Sequence, residues 1–172
     1  MKTIFSKKDY NSPDGMLTSV WGPPMWHVLH TISFNYPIEP TKDDKDNYYN
    51  FFKNIKNILP CKYCRINLNK NLKKVKMNKS IFKNRDSLSR WVYELHEEVN
   101  KMLNKKSNLT YCQVKDRYEH FRARCLNQIP GVESGCTDSL YGMKSKCVLN
   151  IVPKELSCET FKIDKKCKLK RK

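Results

Sequence analysis

Apolar positions along the chain fall into five helical stretches separated by Gly, Pro and polar residues. The first is expected to open at Trp21-Gly-Pro-Pro24, where Gly and Pro favour a helix start. It runs through Met25–Tyr36 until Pro37 stops it. Thr41 and Asp44 form a capping box for a second helix. Its stripe of Tyr48, Phe51, Phe52, Ile55, Ile58 and Leu59 recurs at helical spacing. A third helix should begin at Leu59-Pro60-Cys61, with Pro60 in its first turn and Leu68, Leu72 and Val75 on its buried face. The fourth follows Asp86 as N-cap and carries the cleanest period: Leu88, Trp91/Val92, Leu95, Val99, Met102/Leu103. A second capping box, Thr110 with Gln113, opens a fifth helix through Val114, Tyr118 and Phe121 to about Leu126.

No alternating strand pattern appears, and the connections are short. The expected fold is therefore all-α: a four-helix bundle with the fifth, short helix across it. After Pro130 apolar residues thin out, while Cys136, Cys147, Cys158 and Cys167 recur every nine to eleven positions. Three segments follow: an N-terminal extension (1–20), a helical domain (21–126) and a cysteine-containing, basic C-terminal appendage (127–172). A continuous fifth helix would hold Cys112 and Cys125 about 20 Å apart at about 1.5 Å per residue, too far for an intrachain disulfide.

Charge narrows the function less than its size suggests. Lys and Arg number 34 against 17 Asp and Glu, a net +17, which attracts acidic partners without any built site. The lysines are spread along the whole chain, and no nucleic-acid recognition motif accompanies them. No run approaches the roughly 18 apolar residues of a membrane span, and Met1–Lys8 lacks the apolar core of a secretory signal. Eight cysteines without an export signal call for metal, catalysis or an oxidising setting.

The chemistry concentrates at Cys61-Lys-Tyr-Cys64. Two thiols at this spacing close a small disulfide ring, and the free amides of a first helical turn stabilise a thiolate there. Lys62 and Arg65 push the same way. On spacing alone the pair suits thiol–disulfide exchange or half of a zinc site completed by His96 or tail cysteines. The zinc alternative would be a basic nucleic-acid-binding module. Trp26 and His30 lie one turn apart on the first helix, as do His96 and Asn100 on the fourth. Two such pairs beside the Cys-x-x-Cys outline a slot for a flat aromatic ligand.

In order and spacing, Trp21-Gly-Pro-Pro-Met-Trp-His-Val-Leu-His-Thr31, Tyr36-Pro37, Cys61-Lys-Tyr-Cys64, His96-Glu-Glu-Val-Asn100 and Arg117-Tyr118 resemble the Erv/ALR family of FAD-linked sulfhydryl oxidases. The compact, Lys/Asn-rich style is closer to the members encoded by large cytoplasmic DNA viruses. The resemblance implies an FAD site lined by Gly22, Trp26, His30, Tyr36, His96, Asn100, Lys105, Arg117 and Tyr118, with no metal. It implies catalysis by Cys61 and Cys64 on protein dithiols with dioxygen as acceptor. It also implies a homodimer without membrane attachment, in the host cytoplasm or virion, with the mitochondrial intermembrane space as the alternative. Two departures stand out. Glu97 replaces the family's frequent Asn, and Tyr93 stands where cellular members place a structural cysteine.

Overall fold

The computed structural model describes residues 5–12, 15–126, 130–131, 135–140, 143–159 and 161–168. Its contacts divide the chain into two units, Met1–Ser107 and Asn108–Lys172.

In the first unit a short helix α1 (Lys7–Tyr10) precedes four long ones: α2 (Thr18–Asn35), α3 (Lys42–Ile58), α4 (Lys62–Lys74) and α5 (Arg85–Met102). Helix α2 packs on α5, α5 on α4, and α4 on α3, so the expected bundle forms. Helix α2 starts three residues earlier than the Gly-Pro signal implied. The backbone N–H groups of Val20 and Trp21 already donate to the Leu17 carbonyl, and the Trp21 indole anchors to the Met16 carbonyl at 2.9 Å. Pro23 and Pro24 therefore fall in the second turn. The Thr41–Asp44 capping box opens α3 as expected, with the Asp44 amide donating to Thr41 Oγ1 at 3.1 Å.

The core joins Leu29 and Tyr36 from the α2 side, Phe52 and Ile55 of α3, Leu68 of α4, and Leu88, Trp91, Val92 and Leu95 of α5. A 3₁₀ turn, Lys79–Lys83, which the helical periodicity does not announce, adds Ile81 and Phe82 to it. Tyr36 is fully buried and ties that turn down: its hydroxyl donates to the Phe82 carbonyl at 2.9 Å, and its own carbonyl accepts from Arg85 Nε at 2.6 Å. Asn84, not Asp86, is the N-cap of α5. It exchanges bonds with Ser87, while Asp86 pairs with Arg90 at 2.7 Å. Parts of the apolar stripes stay exposed, at Phe51 and Ile58 on α3 and at Met102 and Leu103 at the end of α5. Among the described residues no helix is long and apolar enough to cross a membrane.

The second unit adds a small hairpin to the expected helical fold. Helix α6 (Tyr111–Glu119) opens on the Thr110–Gln113 capping box but ends seven residues short of Leu126. Arg122 folds back onto Glu119 through two bonds, Nε–Oε2 at 2.7 Å and a second at 2.9 Å, and Phe121 packs against Tyr118 and Phe161. The freed chain then forms strand β1 (Ala123–Leu126), antiparallel to β2 (Gly135–Ser139). Gly131 and Gly135 take φ of +81° and +135° between and at the strands, a region that glycine enters without steric cost. The stripe of Val114, Tyr118 and Phe121 reads as helix by period. The pairing partner that overrides it lies beyond a glycine-marked loop, where periodicity carries no information. The fold is thus mostly helical, with a small cysteine-bearing hairpin.

Candidate functional site

Cys61 does not sit inside the first turn of its helix; it is the N-cap of α4. Its backbone is extended (φ −160°, ψ 123°), and its Sγ accepts from the Cys64 amide at 3.3 Å. A thiol thus occupies the place usually held by a Ser or Asp oxygen, facing the positive end of the helix. Pro60 lies just before the cap, outside the first turn in which the sequence places it. Arg65 is anchored at the same end, donating to the Leu59 carbonyl at 2.6 Å.

The two thiols are electrostatically unlike. Burial pushes Cys61 up, but the Cys64 thiol, the Cys64 and Tyr63 amides and the Arg65 charge outweigh it, so Cys61 is held below the ordinary thiol value. For Cys64, burial raises the pKa first and the neighbouring Cys61 raises it further, to about 12. Cys64 packs against the bundle core, together with Met25 and Trp26 of α2. The pair therefore consists of an activated outer thiol and a protonated inner one.

A residue of the expected N-terminal extension supports this cap. Gly15 forms an antiparallel bridge with Cys61, and the Met16 amide donates to the Pro60 carbonyl at 2.7 Å. Gly15 has φ +105°, and a Cβ there would lie 2.3 Å from the Pro60 oxygen and 2.8 Å from Cys61 Cα. Only glycine fits this close backbone approach. The signal was present as the turn dipeptide Asp14-Gly15 ahead of the first helix, but its partner, 46 positions on, was not legible.

On the α2–α5 pair, Trp26 and His96 stack at 4.0 Å between ring centroids and 6° between planes. His30 lies beside them, with its Nε2 3.0 Å from His96 Nδ1. Burial, then the neighbouring His96 and His27, lowers His30 to about 3; burial, with help from Lys105, lowers His96 to about 4 despite Glu97. Both imidazoles are neutral at physiological pH. Asn100, one turn beyond His96, donates from its side-chain amide to the Glu97 carboxylate at 3.0 Å. The Lys105 amide closes on the Asn100 carbonyl at 2.8 Å, past the end of α5. Gly22 lies near the start of α2 with open space where a Cβ would stand.

The structure thus brings together Trp26, His30 and His96, with Asn100 and Lys105 following on the same helix end. Tyr36 stands apart at the far end of α2, committed to the core. Arg117 and Tyr118 belong to α6 in the second unit, where Tyr118 is buried and stacks on Phe161 at 5.6 Å. Among the described residues no three of His, Cys, Asp or Glu cluster as a metal site requires.

The chain is similar to known proteins. The profile of the Erv1 / Alr family matches residues 23–119. A probable FAD-linked sulfhydryl oxidase of Acanthamoeba polyphaga mimivirus is 36% identical over 99 residues, which cover 58% of this chain and 68% of the relative. An FAD-linked sulfhydryl oxidase of African swine fever virus is 30% identical over 118 residues, 69% of this chain and 91% of the relative. The crystal structure of the FAD binding domain of Erv1 from Saccharomyces cerevisiae matches with a TM-score of 0.54 at 27% identity, over 60% of this chain and 94% of that one. With more than half of its length matched and the Cys-x-x-Cys at the capped end of a bundle helix, the chain belongs to the Erv1 / Alr family.

Proposed function

We propose that this chain is an FAD-linked sulfhydryl oxidase that forms disulfide bonds in protein dithiols through the Cys61–Cys64 pair and passes the electrons to dioxygen, giving hydrogen peroxide. The observation that carries this reading is the division between the N-cap thiol Cys61, held below its ordinary pKa, and the core-packed Cys64, raised to about 12.

The residues of the first unit fit a flavin nucleotide. The parallel Trp26 and His96 rings offer flat faces to a heteroaromatic system. Neutral His30 and His96, with the Asn100 amide, suit its polar edges, Lys105 its phosphates, and the open space at Gly22 allows close approach. When bound, FAD supplies the two-electron relay between the dithiol pair and dioxygen.

The chain's own residues account for the rest. A substrate thiolate attacks Cys61 Sγ of the oxidised pair, the Cys61–Cys64 bond breaks, and a mixed disulfide forms at Cys61. The raised pKa of Cys64 favours its taking a proton as it leaves. The second substrate thiolate then attacks the substrate sulfur of the mixed disulfide and expels Cys61, which the Cys64 amide and Arg65 make a good leaving group. The substrate leaves with a disulfide, and the pair has gained two electrons. Gly15 and Met16 hold the cap's backbone throughout.

The exposed apolar Val28, Phe51 and Ile58 on α2 and α3 support a homodimer built on those helices. The viral relatives support a viral protein acting in the host cytoplasm or virion. The test of the activity is direct. Purified protein should be yellow, take up oxygen when given dithiothreitol and release hydrogen peroxide. Colourless protein carrying stoichiometric zinc, or yellow protein without dithiol-dependent uptake, would overturn the reading.

A further inference from the structure

Six cysteines lie outside the Cys61–Cys64 pair, and the hairpin of the second unit brings two of them together. Continued without interruption from the pair Arg124↔Asp138, the β1–β2 ladder would set Cys125 opposite Thr137. Cys136 would then fall opposite Leu126, on the other face. The register instead moves to Leu126↔Gly135, which leaves one extra residue on β2 between the two pairs. A bulge of this kind sets two residues against one and re-aims their side chains. Cys136 and Thr137 both stand against Cys125, and the Cys125 thiol lies near enough to Cys136 to raise its pKa. Both residues are exposed.

We propose that Cys125 and Cys136 form a disulfide across the bulge of the β1–β2 hairpin. Cross-strand neighbours lie about 4.5–5.5 Å apart at Cα, inside the range that a disulfide bridges without backbone movement. Two S–H bonds break and one S–S bond forms, releasing two protons and two electrons. In place, the acceptor is dioxygen through the activity proposed above, and the inference rests on that reading only for this oxidant. Oxidised glutathione takes up the same two electrons and two protons in becoming two glutathione thiols. The link fixes the register of β1, the strand that stands where the sequence period favours helix.

The sequence offers a clean test. Trypsin cuts after Arg124 and Lys144, and no Lys or Arg lies between them, so peptide 125–144 carries both cysteines and no other. The full chain is equilibrated with oxidised glutathione, alkylated without reduction and digested. Peptide 125–144 should appear unalkylated and about 2 Da lighter than its dithiol form, the loss of two hydrogens on disulfide formation. In Cys125→Ser the alkylation of Cys136 should rise about tenfold as an exposed free thiol, while Cys112→Ser should leave the looped peptide unchanged. A doubly alkylated peptide, a doubly glutathionylated one, or a cross-link to the peptide bearing Cys112 would overturn the proposal. Loop formation under glutathione in protein that takes up no oxygen would sink the oxidase reading alone. Absence of the loop in an active oxidase would sink this one alone.

Discussion

The two cysteine pairs of this chain differ in nearly every property that governs a thiol. Cys61 and Cys64 are three residues apart on one helix end, share a backbone amide, and are driven apart in pKa because one faces the helix dipole and Arg65 while the other packs against the core. Cys125 and Cys136 come from two strands, are both exposed, and meet through a register shift. Contact with Cys125, with burial, raises Cys136 above its ordinary value. Proximity alone gives a place where a disulfide can rest. Reactivity requires that the two sulfurs be made unequal, so that one attacks and leaves easily while the other is held in reserve.

The sharpest way to break this contrast is to exchange the two pairs' cysteines for serine. Cys61→Ser or Cys64→Ser should cost turnover roughly a thousandfold or more, since a single thiol cannot re-form the disulfide. The double change Cys125→Ser with Cys136→Ser should keep activity within about twofold. Comparable losses from both would show that the hairpin pair is part of the chemistry.

Acid should separate the two regions next. His30 and His96 have folded pKa values of about 3 and about 4 against an ordinary value of 6.5, so the unfolded chain binds protons there that the folded chain refuses. The stability from burying them neutral is fully present above about pH 6.5 and is lost as pH falls towards 4 and then 3. Thermal melts from pH 7 to 4 should show the midpoint falling, with amide exchange rising on α2 and α5 first. A flat profile would contradict the burial of this pair.

Two glycines give a smaller, more local comparison. Gly15→Ala meets the Pro60 oxygen and Cys61 Cα, whereas Gly131, also at positive φ, has open space around it. The first change should cost about 1–3 kcal/mol and move the alkylation pH profile of Cys61 upward. Gly131→Ala should cost about 1 kcal/mol and leave that profile unmoved. Smallest is Arg65→Gln, which removes one favourable charge from Cys61 but also its bond to the Leu59 carbonyl. Iodoacetamide labelling of Cys61 at neutral pH should slow by a few-fold, in line with a shift below about one pKa unit.

The bundle was legible because its signals are local. The Thr41 and Thr110 capping boxes, the Leu88–Leu95 period and the Cys-x-x-Cys at a helix start each need only a few consecutive residues, and each appears in the structure. What escaped the sequence depends on partners far along the chain. The Lys79–Lys83 turn is held by Tyr36, more than forty positions earlier, and Gly15 is explained only by Cys61. The hairpin is the strongest case. Tyr118 and Phe121 satisfy a helical period with contacts that stop at Glu119, and a strand whose partner begins at Gly135 replaces the rest. The reading of Cys112 and Cys125 on one helix fails with it, because Cys125 lies on β1 and its neighbour is Cys136.

The central claim is that Cys61 faces the substrate while Cys64 faces the cofactor, and flavin-loaded serine variants test it most directly. A thiolate lying against an oxidised flavin gives a broad long-wavelength absorption band. In Cys61→Ser, spectra taken from about pH 8 to about pH 11 should show that band growing in, with a midpoint above the ordinary thiol value of about 8.5 because Cys64 stays buried. In Cys64→Ser the flavin should still bind and no band should appear at any pH. A band in Cys64→Ser alone would reverse the two roles and contradict the account.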